Sequence, residues 1–136
     1  MNTPPFKNED IAIICATKNQ PDNIVRMLDS IVNSGINVGQ IIISDGGKNL
    51  KKVIDSYKNK LKIECIYSPI VGQVLQRSYA HTFLHKRIRL VLHFDDDITL
   101  EKDALNKMLL FWNNAENHRG KPLAGASFNL INSPKI

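Results

Sequence analysis

Six consecutive apolar residues at 11–16 (IAIICA) leave this chain few ways to fold. A half-exposed strand alternates apolar and polar side chains, whereas a run apolar at every position needs cover on both faces. The run is too short for a helix and far too short to cross a bilayer. Three more strand-like runs follow, 39–45 (GQIIISD), 61–67 (LKIECIY) and 88–94 (IRLVLHF).

Segments of helical spacing separate these runs. Pro21 suits a first helical turn, Ile24, Val25, Leu28, Ile31 and Val32 recur along one face, and Gly35 ends the helix. A lysine-rich helix is predicted over 48–60, with Leu50, Val53, Ile54 and Tyr57 on its apolar side. Another is predicted over 73–86, with Leu75, Tyr79 and Phe83 stacked four apart. Thr99 reads as the N-cap of a last helix, with Glu101 in its first turn and a stripe of Leu105, Met108, Leu109 and Trp112. A polar turn at 117–121 and a further strand at 123–130 complete the reading. Strands alternating with helices predict an α/β fold, a Rossmann-like, mostly parallel sheet with helices on both faces.

With 136 residues, 43% of them hydrophobic and 23% charged, the chain has the material for one globular domain. Disorder, collagen-like sequence and low-complexity sequence are excluded. Residues 1–10 read as an N-terminal tail and do not have the pattern of a signal peptide. No apolar run is long enough for a transmembrane segment, so the chain is expected in the cytoplasm or at the inner face of a membrane. Cys15 and Cys65 each sit inside an apolar run and form no CxxC pair, which predicts buried free thiols in a reducing compartment.

The net charge is 18 − 13 = +5. Lys48, Lys51, Lys52, Lys58, Lys60 and Lys62 alternate with polar residues and lack interleaved aromatics, the pattern of a solvated face. No nucleic-acid-binding motif accompanies the charge, so nucleic acid is not an expected partner.

Ligands of open α/β sheets bind at the carboxyl ends of strands, near the point where strand order reverses. Those ends read Thr17, Lys18 and Asn19, then Asp45, Gly46 and Gly47, then Ser68 and Pro69, then Asp95, Asp96 and Asp97. In an extended segment Asp95 and Asp97 project to one side and Asp96 to the other. Two carboxylates on one side suit a hard divalent cation, Mg²⁺ or Mn²⁺, that keeps positions open for phosphate oxygens. An acidic loop capping the next helix is the plainer alternative, but three acids exceed what capping needs and repel one another without a cation. Asp45 is either a ligand contact or an ordinary Asp-Gly turn residue. Arg77 could pair with an anion or stand solvated. His81, His85, His93 and His118 have no ligand spacing with a cysteine or acid beyond the closeness of His93 to the acidic run; His81 and His85, four apart on one helix, could chelate a metal but lack the Glu of an HExxH arrangement and read as surface histidines.

Taken together, IAIICATKNQ, QIIISDGG, GQVLQRSYAHTF and LVLHFDDDITLEKDAL resemble, in this order, a family 2 glycosyltransferase of the GT-A fold. FDDD looks like the family's DxD motif. GQVLQRS looks like its Gly-x-x-x-x-Arg-Asn element, with Ser78 in place of Asn. IISDGG looks like its strand-two Asp followed by Asp-Gly-Ser, with Gly46 and Lys48 in place of the second acid and the Ser. The resemblance implies a nucleotide-diphosphate sugar donor held by Thr17, Asn19, Asp45, Arg77, Asp95 and Asp96. Thr17 and Asn19 would edge the pocket, Asp45 would hydrogen-bond the base, and Arg77 would stand near the nucleotide or its phosphates. Asp95 would reach the ribose or the metal, and Asp97 would coordinate the divalent metal, Mn²⁺ or Mg²⁺.

The acceptor, whether glycan, lipid or protein, leaves no signature. Inverting members need a carboxylate base beyond the DxD strand, and after Asp103 the only acid is Glu116. The expectation is therefore a truncated, donor-binding part of a transferase, with the acceptor half absent and activity of the chain alone an open question. The alternative is a non-catalytic nucleotide-binding or interaction module. A receiver domain would need acids where Ala16, Thr17 and Lys18 stand, and a nucleotidyltransferase would need a glycine-rich loop where TKNQPD stands.

Overall fold

A computed structural model describes residues 4–48, 50–119 and 124–128. The chain forms β1 (Ile11–Thr17), α1 (Pro21–Asn33), β2 (Gln40–Asp45), α2 (Lys51–Asp55), β3 (Ile63–Tyr67), α3 (Gln73–His81), β4 (Leu90–Phe94) and α4 (Ala104–Arg119), after a 3₁₀ turn at Asn8–Asp10. The four strands lie in the order β3-β2-β1-β4, and every pairing is parallel. The all-apolar run is β1, with β2 and β4 as its neighbours and all seven residues buried. In register, Ile14 faces Ile42 on one side and His93 on the other, while Thr17 pairs with Asp45.

The two sheet faces carry different layers. Ile11, Ile13, Cys15, Ile41, Ile43, Leu90 and Phe94 pack with Ile24, Met27, Leu28 and Ile31 of α1, Ile54 of α2 and Leu105 of α4. Ile14 and Ile42 on the opposite face pack with Ala80 of α3. Alternation of side chains along each strand makes this division. Helices on both faces, as the sequence predicts, are what a parallel sheet requires.

Several element bounds differ from the sequence expectation. The lysine-rich helix spans five residues, not 48–60: Ser56 Oγ donates back to the carbonyl of Val53 at 2.6 Å, and turns take the chain to residue 60. Leu50, Ile54 and Tyr57 are nevertheless buried. α3 ends at His81, not 86, where Thr82 Oγ1 donates to the carbonyl of Tyr79 at 2.7 Å. Beyond it, buried Gln40 donates from Nε2 to the carbonyl of Phe83 and accepts the His85 amide at Oε1, pinning a loop.

The buried face of α3 is also not the Leu75, Tyr79, Phe83 row. Leu75 is 50% exposed and Phe83 38%, and the buried residues are Gln76 and Ala80. Three of the four strand positions flanking Ile14 and Ile42 on that face, Ala12, Ala16 and Ser44, are small and suit a close approach by a small helix residue; the fourth is Gln40.

Thr99 does not cap α4, which begins at Ala104, and Glu101 precedes its first turn. The chain first crosses the end of α1, where the Leu100 amide donates to Ser30 Oγ at 3.0 Å. Leu105 is buried, and Met108, Leu109 and Trp112 pack on the core as expected. α4 continues through the start of the turn expected at 117–121. Residues 124–128 form no strand; the rest of the strand expected at 123–130 lies outside the described residues.

From Pro4 onward the segment read as a tail is docked. The Phe6 amide donates to Asn113 Oδ1 at 2.8 Å, and Asn113 Nδ2 donates to the Phe6 carbonyl at 3.1 Å. The Arg89 guanidinium lies 4.1 Å from the Phe6 ring centre.

Candidate functional site

β1 is where the strand order reverses, since the chain proceeds outward through β2 and β3 and then returns to place β4 on the other side. The sequence-predicted residues converge on its carboxyl end. Thr17 is its last residue, Asp45 the last of β2, and Asp95 follows the last of β4.

Asp45 is 1% exposed. Its Oδ1 accepts the Gly47 amide at 2.8 Å, while Oδ2 is buried with no partner among the described residues. A buried carboxylate oxygen without a donor costs free energy unless something supplies one. The neighbouring glycines allow the crowding. A Cβ on Gly46 would stand 2.8 Å from Gln76 Oε1, and one on Gly47 would run into Asn19. Asn19 itself has φ +56°, a left-handed conformation that Asn tolerates better than most residues. It borders a cleft of ≈ 230 Å³ together with Gln20, Pro21, Lys48 and Leu50.

The acidic run does not continue as a strand. It turns at Asp96 and Asp97, so strict alternation does not govern where its carboxylates point. Asp96, expected to point away, instead accepts at Oδ2 from Thr17 Oγ1 at 2.7 Å. Asp95 Oδ1 accepts from the Arg77 guanidinium at 2.7 Å. Asp97 is exposed and has no hydrogen-bond or ion-pair partner among the described residues. Among the described residues, no three His, Cys, Asp or Glu side chains converge on one point. Asp95 and Asp97 are the carboxylates that could share a cation with phosphate oxygens, the arrangement in which Mg²⁺ commonly binds.

Sequence reasoning missed Gln76. This buried side chain donates from Nε2 to the carbonyls of Thr17 and Ser44, both at 2.9 Å, and accepts the Gly72 amide at 3.0 Å. It ties α3 to the carboxyl ends of β1 and β2, beneath the site. Its position midway between Gly72 and Ala80, four residues from each, was the available signal for an inward-facing side chain. Also missed was the meeting of His81 with His93, whose Nε2 atoms stand 3.3 Å apart.

The acidic run reaches electrostatically into β1. Burial first, then Asp96, pushes the Cys15 thiol up to about 12 against the opposing pull of Arg77. Burial and Asp45 push Cys65 up to about 11. Both cysteines are free, as expected, although Cys65 is only half-buried. The His93 imidazole is held below its ordinary value by burial, then by His81 and Arg77.

The sequence model for glycosyl transferase family 2 matches residues 12–118. The chain belongs to that family. The matched segment runs from β1 through most of α4 and contains every candidate residue above. Among solved structures, residues 1–349 of TarS from S. aureus align over 88% of this chain and 38% of TarS 1–349, with 17% identity and a TM-score of 0.66. The same TarS segment with UDP aligns at 16% identity and TM-score 0.64, and with UDP-GlcNAc at 17% and 0.63. At these identities the likeness is one of fold, and it supports the α/β arrangement of the GT-A type. The chain spans well under half the length of TarS 1–349. A search of curated proteins finds no match. No helix among the described residues is long and apolar enough to cross a membrane.

Proposed function

We propose that this chain binds a nucleotide-diphosphate sugar through a divalent cation, as the donor-binding part of a glycosyltransferase. One observation carries the reading: the Oδ2 of buried Asp45, without a partner among the described residues, one strand from the strand-order reversal at β1, near the cleft that Asn19 borders and two strand ends from an acidic run. The atom is suited to accept a hydrogen bond from an N–H of the base. Asn19 edges the nucleotide pocket with Thr17 two residues before it at the end of β1, and Lys48 adds a cation at the cleft that Asn19 borders.

Asp95 and Asp97 would hold Mn²⁺ or Mg²⁺, with the diphosphate oxygens completing its shell. When bound, such a cation offsets the negative charge that develops on the diphosphate as the glycosyl bond breaks. Arg77 stands close enough to Asp95 to steady that carboxylate and to face the phosphates. Thr17 fixes Asp96 and so the turn that presents Asp97. UDP and UDP-GlcNAc, which occur in the TarS complexes, are the first ligands to try. The acceptor, a glycan, lipid or protein, is left open, as is a general base.

A thermal-shift screen of nucleoside diphosphates and their sugars, with and without Mn²⁺, tests the reading. A ligand at roughly 100 times its Kd adds about 2.7 kcal/mol to folding stability. A metal-dependent rise in Tm with one nucleotide is expected, and no response to any would count for an interaction module instead. Donor hydrolysis or transfer, measured on the same samples, separates an enzyme from a module that binds without turnover.

A further inference from the structure

A second contact between α3 and β4 runs beside the Arg77–Asp95 ion pair. His81 lies one turn beyond Arg77 on α3, and His93 lies two residues before Asp95 on β4. Their side chains meet with Nε2 atoms 3.3 Å apart and ring centres 5.1 Å apart, the planes tilted by 36°. Both residues are exposed. The backbones that carry them are fixed, α3 by Gln76 and buried Ala80, β4 by its pairing to β1.

The separation is informative. An N–H donor usually settles about 2.9–3.0 Å from its acceptor, so 3.3 Å is long for a hydrogen bond between two rings. Two imidazole nitrogens at about 2.0–2.1 Å from one tetrahedral Zn²⁺ stand about 3.3–3.4 Å apart. Imidazole also suits Cu²⁺ and Ni²⁺, whereas Mg²⁺ and Mn²⁺ prefer carboxylate, carbonyl and water oxygens. We propose that His81 and His93 form a two-imidazole site for a borderline divalent cation, Zn²⁺ above all, bound through Nε2 of each ring with water in the remaining positions. The site is separate in chemistry from the Asp95–Asp97 pair, and an ion there staples the end of α3 to the edge strand β4.

Zn²⁺ titration of the tag-free, nucleotide-free chain tests this, followed by calorimetry and by the ¹⁵N shifts of the imidazole rings. The expected result is one equivalent bound, with the Nε2 resonances of His81 and His93 shifted. Affinity should fall roughly tenfold or more in His81→Ala and in His93→Ala, and stay unchanged in His85→Ala. Both variants change exposed residues, and circular dichroism verifies their fold. Equal affinity in wild type and both variants, unshifted Nε2 resonances, or no binding at all would leave a plain His–His contact and overturn the proposal. Because the ring resonances of His81 and His93 report this site alone, the outcome is independent of whether the donor site works as proposed.

Discussion

Thr17 at the end of β1 donates from Oγ1 to Asp96 Oδ2 across 2.7 Å, joining the first strand of the chain to the acidic turn after the fourth. The bond sets where that turn leaves the sheet, and with it where Asp97 stands. Hydrogen bonds to charged groups contribute about 1.5–3 kcal/mol. Thr17→Val, which keeps the shape and removes the donor, should therefore lower unfolding free energy by about 1.5–3 kcal/mol, read by urea denaturation. In a double-mutant cycle with Asp96→Ala, which removes the acceptor, the two changes should be coupled; full additivity would show that the bond does not hold the turn.

Gln76 satisfies two carbonyls and one amide in a buried setting. Gln76→Leu takes this donor from the Ser44 carbonyl and from the Thr17 carbonyl, which keeps the Gly46 amide, and removes the acceptor of the Gly72 amide, at about 1–3 kcal/mol for each group left unpaired. A destabilisation of about 2–4 kcal/mol is expected. Urea unfolding checks it, and a loss below the error of the measurement would show that water replaces the amide.

Much of this was legible in the residues. The apolar runs located all four strands, because parallel strands covered on both faces carry their burial in composition. Ile24, Leu28 and Ile31 on the buried face of α1 were legible from helical spacing, whereas buried Met27 was not in the expected row and Val25 and Val32 are only partly buried. Strand order was not, since periodicity does not say which strand lies beside β1. The buried face of α3 misled, because helical spacing favoured Leu75 and Phe83 while the surface it meets selects Ala80 and a hydrogen-bonding Gln76. At the site, Asp45, Thr17 and the acidic run were visible as residue types at strand ends. The Asp96 contact was hidden by the turn, which replaces strand alternation at that point.

Asp45 should trade stability against binding. Asp45→Asn keeps an acceptor for the Gly47 amide and replaces a buried carboxyl oxygen that has no partner among the described residues. The variant should melt at the same temperature as wild type or higher, while its affinity for the nucleotide falls. A clear drop in Tm with unchanged affinity would make Asp45 a structural turn residue.

The two thiols give a pH test. Cys15 is pushed up to about 12 and Cys65 up to about 11, from 9.0 for both. The protonated thiols are favoured in the folded state, so their contribution to stability is intact below pH 9 and is lost as pH rises toward 11–12. Because the thiolate is the reactive species, iodoacetamide should label the native chain slowly at neutral pH. Labelling should accelerate sharply at alkaline pH or on unfolding, read by mass spectrometry. Rapid labelling of the native chain near neutrality would contradict the assignment.

Calorimetric titration of UDP with Mn²⁺ measures whether the acidic turn binds a nucleoside diphosphate through a metal. Wild type should bind at one site, lose binding when the metal is removed, and weaken by roughly tenfold or more in Asp97→Ala. Equal UDP affinity for wild type and Asp97→Ala in the presence of Mn²⁺ would contradict it.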